Sequence, residues 1–212
     1  MPLERIVDAA ISLVDEQGAE ALSMRSLAKR LDSGTATLYR HFGSRAQLVD
    51  HVVDAVLGGI DLDGGAAAPS ATWQQSCATA AHAMFDTLAR HPNVATLLTE
   101  RIPVGSNAMR QREFMINTLL AAGFDPALAA RAYATLARYV LGFAIQIGAS
   151  AGAESLPSPA DAPPGRHPAT AAVAAYLPVP LASEFGFGLD LILEGLTGLL
   201  ARTADRSGRQ AP

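Results

Sequence analysis

The sequence is poor in several residue classes, and each shortage excludes a class of protein. Cys77 is the only cysteine among 212 residues, so the chain forms no internal disulfide. Charged residues make up 17% and aromatic residues 6% of the chain, whereas 50% is hydrophobic, which is ample for a buried core. The most apolar run, 139–149, is interrupted by Gln146 and has only half of the roughly 20 residues that span a bilayer. We therefore expect a globular protein without a membrane span.

Targeting and catalytic patterns are missing as well. The N-terminus carries Glu4 and Asp8 in an amphipathic pattern instead of a basic and then apolar leader, so we expect the protein in the cytoplasm. The five histidines have neither the i, i+4 pairs nor the His/Cys spacings of zinc sites, and no glycine-rich phosphate loop follows a strand pattern. The sequence predicts no enzyme, no metal site and no cofactor.

One enzymatic alternative stays open. Residues 148–152 spell the G-x-S-x-G motif of a hydrolase nucleophile elbow, with Ser150 as the nucleophile. That motif exposes its serine between a strand and a helix, whereas here a long helical pattern precedes it and a Pro-rich stretch follows. The context argues against a serine hydrolase, because the spelling arises easily by chance in a segment rich in Ala, Gly and Ser.

Residues 22–48 carry the most specific local pattern of the chain. Ser23 is suited to cap a helix whose apolar side chains recur at i, i+3, i+4 spacing, namely Met24, Leu27, Ala28 and Leu31. Asp32 and Ser33 then break this helix. We expect Gly34 to supply the backbone angles of a sharp turn, because glycine adopts conformations that other residues avoid.

Two further helices follow that turn. The first starts at Thr35 and buries Leu38 and Phe42, which are four residues apart on one face. The next starts after Ser44, where Gln47 three positions on completes a capping-box pattern. The order is helix, turn, recognition helix and supporting helix, which is typical of a DNA-reading module.

The charge of this stretch differs from that of the whole chain. The chain has a net charge of -4, but residues 22–48 hold five Arg and Lys residues against Asp32 alone. Such a patch suits DNA phosphates, although on charge alone a solvated cationic helix face explains it equally well. The turn, together with the outward Thr, Tyr, Arg and His side chains, favours DNA binding.

These residues resemble the N-terminal pattern of the tetracycline-repressor (TetR) family of bacterial transcription regulators. That pattern is an amphipathic helix, a glycine, a short helix, a turn, and Leu-Tyr-Arg-His-Phe followed by a basic residue and Leu. The matching positions here are 6–14, Gly18, 23–31, 38–42, Arg45 and Leu48. The turn 32–34 departs from the family's common Gly-Val-Ser. A helical dimer that has lost DNA binding therefore stays as an alternative.

The resemblance implies roles for individual side chains. Base edges in the major groove would be approached by Thr35, Ala36, Thr37 and Arg40, since Arg reaches guanine in bidentate fashion and Thr or Ala contacts the thymine methyl. Phosphates would be held by Tyr39, His41, Arg45 and Arg25. The alternatives are a Tyr39 ring packed on the core and a His41 that satisfies a helix end.

Composition divides the chain into regions. We expect a DNA-binding domain over 1–57, with its fourth helix at about 45–57 linking to the rest. A Gly, Ala and Pro-rich linker over 58–71 leads to an all-α domain over 72–204. Within the second domain we expect a helix over 106–122 that ends at Gly123, and a long helix from Asp125 to about Ser150. The Pro-rich stretch 151–182 is predicted as a loop with one short helix at 169–176, and 205–212 as a tail.

The last helix predicts a dimer. From Ser183 onward, one face carries Phe185, Leu189, Ile192, Leu196 and Leu199. Gly188 and Gly195 are seven residues apart, where two helices could approach closely. With the helix 125–150, this helix could form a four-helix bundle across a two-fold axis. Residues 90–92, 119–124 and 185–196 are also similar to the C-terminal domain of the tetracycline-repressor subgroup.

The family resemblance further implies a small-molecule pocket in the C-terminal domain. We choose as candidates the aromatic, soft or polar side chains on otherwise apolar helices, which are His82, Phe85, Met109, Phe114, Asn117, Tyr139, Phe143 and Gln146. Each of them could equally be plain core. No metal-binding histidine of the tetracycline sensor aligns within 96–103, so the inducer stays open.

Taken together, the sequence predicts an all-α regulator of two domains. We expect a homodimer that binds a palindromic double-stranded DNA operator, with its two recognition helices roughly 34–36 Å apart in successive major grooves. The resemblance also implies that a small-molecule inducer releases it through the fourth helix. Repression rather than activation follows from the resemblance alone.

Overall fold

The computed structural model describes residues 1–62, 70–100, 102–150 and 166–210, with side chains throughout except at 148–150 and 204–210. Within these residues the chain forms ten α-helices, two short 3-10 turns and no strand. The α-helices are α1 (Leu3–Gln17), α2 (Met24–Arg30), α3 (Thr35–Tyr39), α4 (Arg45–Gly58), α5 (Trp73–Arg90), α6 (Pro92–Leu97), α7 (Ser106–Ala121), α8 (Pro126–Ser150), α9 (Pro168–Val173) and α10 (Leu181–Gln210). The predicted all-α fold class is confirmed.

Serine side chains begin the second and fourth helices, as predicted. Ser23 Oγ accepts a hydrogen bond from the Ser26 N–H, and Ser26 Oγ accepts one from the Ser23 N–H, which completes a capping box at α2. At α4, Ser44 Oγ accepts from the Gln47 N–H. The return bond differs from the prediction, because Gln47 Oε1 accepts from the N–H of Gly43, one residue before the cap, at 2.7 Å.

The turn between α2 and α3 also differs from the prediction. Asp32, not Gly34, has the left-handed conformation, with φ 46°, whereas Gly34 is extended at φ -78° and ψ 146°. The Ser33 N–H donates to the Ala28 carbonyl at 2.9 Å, and the Asp32 N–H donates to the Lys29 carbonyl at 3.3 Å. These are the two bonds of a Schellman motif. The departure from the family's common turn sequence therefore still gives a regular helix end.

Local signals also mark the ends of the later helices, and those at Gly123 and Asp125 are the predicted ones. A reciprocal capping box between Thr72 and Gln75 begins α5. Gly123 has φ 96° just after α7, where a left-handed residue ends the helix. Asp125 Oδ1 accepts a hydrogen bond from the Leu128 N–H at 2.9 Å and so caps α8.

Parts of the predicted linker 58–71 and of the predicted loop 151–182 have regular structure or are buried. Ile60 and Leu62, in the predicted linker, are buried at 2% and 6% exposure because their apolar side chains extend the core beyond α4. Residues 63–69 of that linker, and 151–165 of the predicted Pro-rich loop, lie outside the described residues. In the remainder of the Pro-rich stretch, α9 and a 3-10 turn over 174–176 agree with the predicted short helix at 169–176, and α10 begins at Leu181.

No single helix in the described ranges has both the length and the apolar composition to cross a bilayer. Residues Pro168–Tyr176 and Leu181–Thr203 reach that length and composition only as a pair, and they are bent by 106° relative to each other.

Helix packing puts α8 and α4 in central positions. The apolar α8 packs against α5, α6, α7 and α10. The helix α1 packs against α4 and α6, while α4 also contacts α7. The helix α4 thus contacts α1 on one side and α5, α6 and α7 among the helices that follow.

Candidate DNA-binding surface and ligand cavity

The helix α3 presents a short, mostly polar face to solvent. Leu38 and Phe42 are fully buried and anchor it to the core of the N-terminal helices. The predicted contact residues lie on the opposite side. Thr37 is half-buried, and the exposed ones are Thr35, Ala36, Tyr39, Arg40 and His41. The Tyr39 side chain is 56% exposed, so its ring does not pack on the core. A shallow helix face of this kind fits a DNA groove.

Two of the five cations counted in 22–48 are already paired with carboxylates. Arg30 Nη1 and Nη2 donate to the two carboxylate oxygens of Glu16 on α1, at 2.8 and 2.5 Å. These hydrogen bonds hold the pKa of Glu16 below its usual value. Arg45 pairs with Glu100. Among the described residues, no carboxylate pairs with the exposed side chains of Arg25, Lys29 and Arg40. The positive patch is thus smaller than the sequence count indicates.

Arg45 joins three segments of the chain. Its Nε donates to the Leu22 carbonyl at 2.8 Å and its Nη2 to the Ala19 carbonyl at 3.4 Å. Its Nη1 lies 3.2 Å from Glu100 Oε2, beyond the end of α6. A phosphate would have to compete with these partners for the guanidinium. The sequence pattern did not reveal them, because Leu22 and Glu100 lie 23 and 55 residues away from Arg45.

The eight predicted pocket residues do not share a cavity. Four of them surround the fully buried ring of Phe185 with ring centroids 4.2–5.6 Å from it, namely His82, Phe85, Tyr139 and Phe143. The Tyr139 hydroxyl donates to the Phe185 carbonyl at 2.7 Å, and burial raises the pKa of Tyr139. These rings pack on the core through Phe185, with Phe85 buried, Tyr139 and Phe143 half-buried and His82 exposed. Of the other four predicted pocket residues, Phe114 is half-buried, and Met109, Asn117 and Gln146 are exposed.

A cavity of about 680 Å³ lies between α4, α5, α7 and α8. Most of its wall is apolar, from Leu, Ala, Met and Val side chains. Its polar residues are Thr99, Glu100, Gln111, Arg112, Tyr133 and Arg138. The volume is in the range that holds drug-sized ligands. None of the eight predicted pocket residues lines it.

The difference comes from the choice of helix face. Ala108, Arg112 and Met115 line the cavity from α7 at i, i+4 and i+7 spacing. The predicted residues of α7 do not line it; these are Met109, Phe114 and Asn117. The criterion of a polar side chain on an apolar helix would also have selected Tyr133 on α8. Sequence spacing shows which residues share a face, but only the packing shows which face borders the cavity.

Asp54 on α4 caps the beginning of α7. Its Oδ1 accepts hydrogen bonds from the N–H groups of Asn107 and Ala108, both at 3.0 Å. The Asn107 side-chain amide donates back to the Asp54 carbonyl at 3.0 Å. One turn further, the Gln111 amide donates to the Leu57 carbonyl at 2.6 Å. Because Leu57, Ala108 and Gln111 also line the cavity, this Asp54 cap and the cavity share residues.

Other reactive groups show no catalytic arrangement in the described part of the chain. Cys77 is fully buried, and burial raises the pKa of its thiol to about 12, which keeps it protonated at neutral pH. No group of three His, Cys, Asp or Glu side chains among these residues could hold a metal ion. In the G-x-S-x-G spelling, 148–150 form the end of α8, and 151–152 lie outside the described residues.

Comparison with known proteins gives matches along nearly the whole chain. Residues 6–52 match the family model for bacterial regulatory proteins of the tetR family. Residues 66–200 match the model for the tetracyclin repressor-like C-terminal domain. The first match contains the capped helix α2, the helix α3 and the capped first half of α4. The second contains α5 through most of α10.

Individual relatives agree with these matches. The chain is 31% identical to the HTH-type transcriptional repressor DrrR1 of Streptomyces coeruleorubidus, over all of this chain and 82% of that protein. It is 34% identical to an HTH-type transcriptional regulator of Saccharopolyspora erythraea over 66% of this chain, and it spans 58% of the length of that regulator. Apo ActR from Streptomyces coelicolor superimposes with a TM-score of 0.83 at 27% identity, over 96% of this chain and 98% of that one. The structure of ActR in complex with actinorhodin superimposes with a TM-score of 0.81 at 26% identity, over 94% of this chain and 98% of that one.

Proposed function

The chain belongs to the tetracycline-repressor family of bacterial regulatory proteins, and from this premise we propose that it represses transcription by binding a palindromic operator as a homodimer. A small molecule in the cavity releases it. In this proposal, residues 1–57 form the DNA-binding domain, and 72–204 form the domain that binds the ligand and the second protomer.

The exposed face of α3 is the observation that carries this proposal. Thr35, Ala36, Thr37 and Arg40 approach base edges. Within the described residues, the one hydrogen bond of the Arg40 guanidinium is weak, at 3.4 Å to Thr37 Oγ1, so this group is available to a base. Phosphates are held by Arg25, Tyr39 and His41, with Arg45 contributing if it leaves its present partners. The regular Schellman turn that precedes α3 supports DNA binding over the alternative of a helical dimer without it.

Homodimerisation is supported by apolar side chains that this single chain leaves uncovered. On α10, Phe187, Leu191 and Leu199 are 66%, 53% and 38% exposed. A second copy of α8 and α10 would cover such a face and complete a four-helix bundle. A two-fold axis through that bundle sets the two α3 helices in successive major grooves. Such a dimer works where the operator DNA is, which we take to be the cytoplasm.

Release by a small molecule is supported by the cavity and its connections to α4. DrrR1 is named a repressor, and ActR has been solved in complex with actinorhodin. In this chain, Glu100 borders the cavity and pairs with Arg45, while the Asp54 cap ties α4 to α7. To change operator occupancy from nearly full to nearly empty, the ligand must prefer the released state by about 5.5 kcal/mol.

Selection from a random duplex pool, followed by fluorescence anisotropy over a salt series, tests the function. We expect one palindromic sequence to be enriched and bound by two protomers. Its affinity falls steeply with salt, with a log–log slope of about -0.9 for each phosphate neutralised. The Arg40→Ala variant should bind the selected duplex about tenfold or more weakly and lose part of the base preference.

Arg110→Ala is the matched control, because Arg110 is an exposed arginine on α7 that does not line the cavity. Its affinity and base preference should equal those of the parent. Equal and weak binding of the parent to selected and shuffled duplexes at every salt concentration would contradict the proposed function.

A further inference from the structure

More positively than negatively charged side chains line the cavity in the described part of the chain. Two guanidinium groups, from Arg112 and Arg138, and one carboxylate, from Glu100, are the charged groups that border this mostly apolar space among the described residues. That carboxylate is engaged by Arg45 at 3.2 Å. Among the described lining residues, positive charge therefore exceeds negative charge.

Arg112 is the better placed of the two arginines to bind a ligand. It is half-buried and held in position by neutral acceptors only: its Nε donates to the Tyr133 hydroxyl at 3.1 Å and its Nη2 to the Pro103 carbonyl at 3.0 Å. Its Nη1 lies 3.1 Å from the Met109 sulfur. In the described parts of the chain no carboxylate lies within ion-pair distance of it. A fixed guanidinium without a counter-ion, next to an apolar wall, suits an anion supplied by the ligand.

The surrounding groups indicate the rest of the ligand. The guanidinium of Arg112 lies over the Tyr133 ring, 5.9 Å from its centroid. The thioethers of Met84 and Met115 also line the cavity, and sulfur makes favourable contacts with aromatic rings. A body of rings can fill this space while one acidic group reaches the arginine.

We propose that the effector of this cavity is an apolar, ring-containing organic anion whose acidic group pairs with Arg112. The inference rests on the proposed function only in taking this cavity as the effector site. Arg112 then determines the charge class of the ligand, while the apolar wall selects its size and shape.

Two fluorescent probes with the same rings test the charge class without DNA. Anilinonaphthalene sulfonate carries an anionic group, and N-phenyl-naphthylamine is its neutral counterpart. We expect the parent protein to bind the sulfonate more tightly. In Arg112→Met, which keeps most of the apolar bulk, the sulfonate affinity should fall about ten- to hundredfold, whereas the affinity for the neutral probe should stay the same. Arg112→Lys should keep part of the preference because it keeps the charge.

Two control variants complete the experiment. Arg110→Met removes a neighbouring arginine that does not line the cavity, and it should change neither affinity. Ala134→Trp fills the cavity from α8, and it should weaken both probes alike. Circular dichroism establishes that each variant is folded.

Three results would overturn the proposal. The first is an unchanged sulfonate affinity in Arg112→Met, and the second is an equal loss of affinity for both probes in that variant. The third is an unchanged sulfonate affinity in Ala134→Trp. Failure of the proposed function gives a different result. A protein that selects no operator but keeps an Arg112-dependent sulfonate preference contradicts the regulator and supports the ligand class.

Discussion

Asp32 and Gly123 occupy the same structural position at the ends of two different helices. After α7, the Phe124 N–H donates to the Leu119 carbonyl at 3.2 Å and the Gly123 N–H to the Leu120 carbonyl at 3.0 Å. The same pair of bonds encloses Asp32 after α2. Glycine adopts the left-handed conformation without a steric penalty, and Asp is among the few other residues that adopt it routinely. A side chain thus stands at the turn before α3 where glycine would be expected.

Exchanges at the turn before α3 test this geometry. Gly34→Ser should stabilise the protein by roughly 0.5–1 kcal/mol, because Gly34 is extended and begins α3 without a side-chain cap, which serine can supply. Asp32→Val should destabilise it by about 1–2 kcal/mol, because a β-branched residue resists positive φ. Thermal unfolding monitored by circular dichroism measures both, at roughly 2–4 °C per kcal/mol. A destabilising Gly34→Ser would instead place Gly34 in the left-handed region.

Residue-level prediction succeeded where the partners lie within one helical turn. Ser23, Ser44 and Asp125 cap their helices because their acceptor oxygens reach N–H groups three positions on. Arg45 shows the opposite case. Its position after a turn suggested a phosphate contact, but its present hydrogen bonds depend on how α4 packs against segments far away in sequence.

At the scale of helices, α10 crosses α8 at a point where only a glycine fits. A Cβ on Gly188 would overlap the Tyr139 hydroxyl and ring, whereas a Cβ on Gly186, two residues earlier, would meet nothing within 4 Å. The same hydroxyl donates to the Phe185 carbonyl. Close approach at Gly188 therefore allows the aromatic cluster around Phe185 to form.

This crossing predicts opposite effects of one substitution at two glycines. Gly188→Ala should destabilise the protein by about 1–3 kcal/mol through overpacking. Gly186→Ala should be neutral or stabilise it by up to about 1 kcal/mol, because alanine favours a helix more than glycine does. Tyr139→Phe removes the overlapping oxygen, so it should restore part of the stability of Gly188→Ala. Equal unfolding temperatures for the two alanine variants would show that the helices do not approach so closely.

Helix bounds were easier to predict than helix faces. Caps, Pro residues and Gly123 are local signals, and they located α4, α7 and α8 to within a residue or two. The predicted pocket failed to match the cavity for a different reason. A helix such as α8 is apolar on several faces, so composition could not show that Phe143 packs around Phe185 while Tyr133 borders the cavity.

For the whole molecule, the uncovered face of α10 predicts the oligomeric state. With a protomer of 22.0 kDa, light scattering after size exclusion should give twice that mass. Leu191→Glu should shift the mass towards a single protomer and weaken operator binding, because the charge would be desolvated in the interface. Leu120→Glu is the matched control: Leu120 is 42% exposed on α7, against 53% for Leu191. A Leu191→Glu protein that keeps the dimer mass would place the interface elsewhere.

Coupling between the cavity and the DNA-reading helices also belongs to the whole molecule. The Asp54 cap is the direct link, because α7 carries Arg112 at the cavity while its first N–H groups are held by α4. Linkage is reciprocal, so bound operator must lower ligand affinity by the factor by which ligand lowers operator affinity. The sulfonate is a probe and not the effector, so we expect weaker coupling for it: the parent should bind it about five- to 150-fold more weakly when saturated with operator duplex.

In Asp54→Ala, the ratio of sulfonate affinity without operator duplex to that with duplex should fall towards one. The sulfonate and the duplex should each still bind this variant when the other is absent. The lost cap costs about 1–2 kcal/mol of stability, which leaves both binding surfaces in place but frees α7 to move without α4. Asp86→Ala, an exposed acid on α5, should keep the parental ratio. Sulfonate titrations with and without the duplex give the ratio for each variant. If Asp54→Ala kept the full ratio, the signal would have to travel through another contact, and the Arg45–Glu100 pair would be the next to test, because Glu100 borders the same cavity.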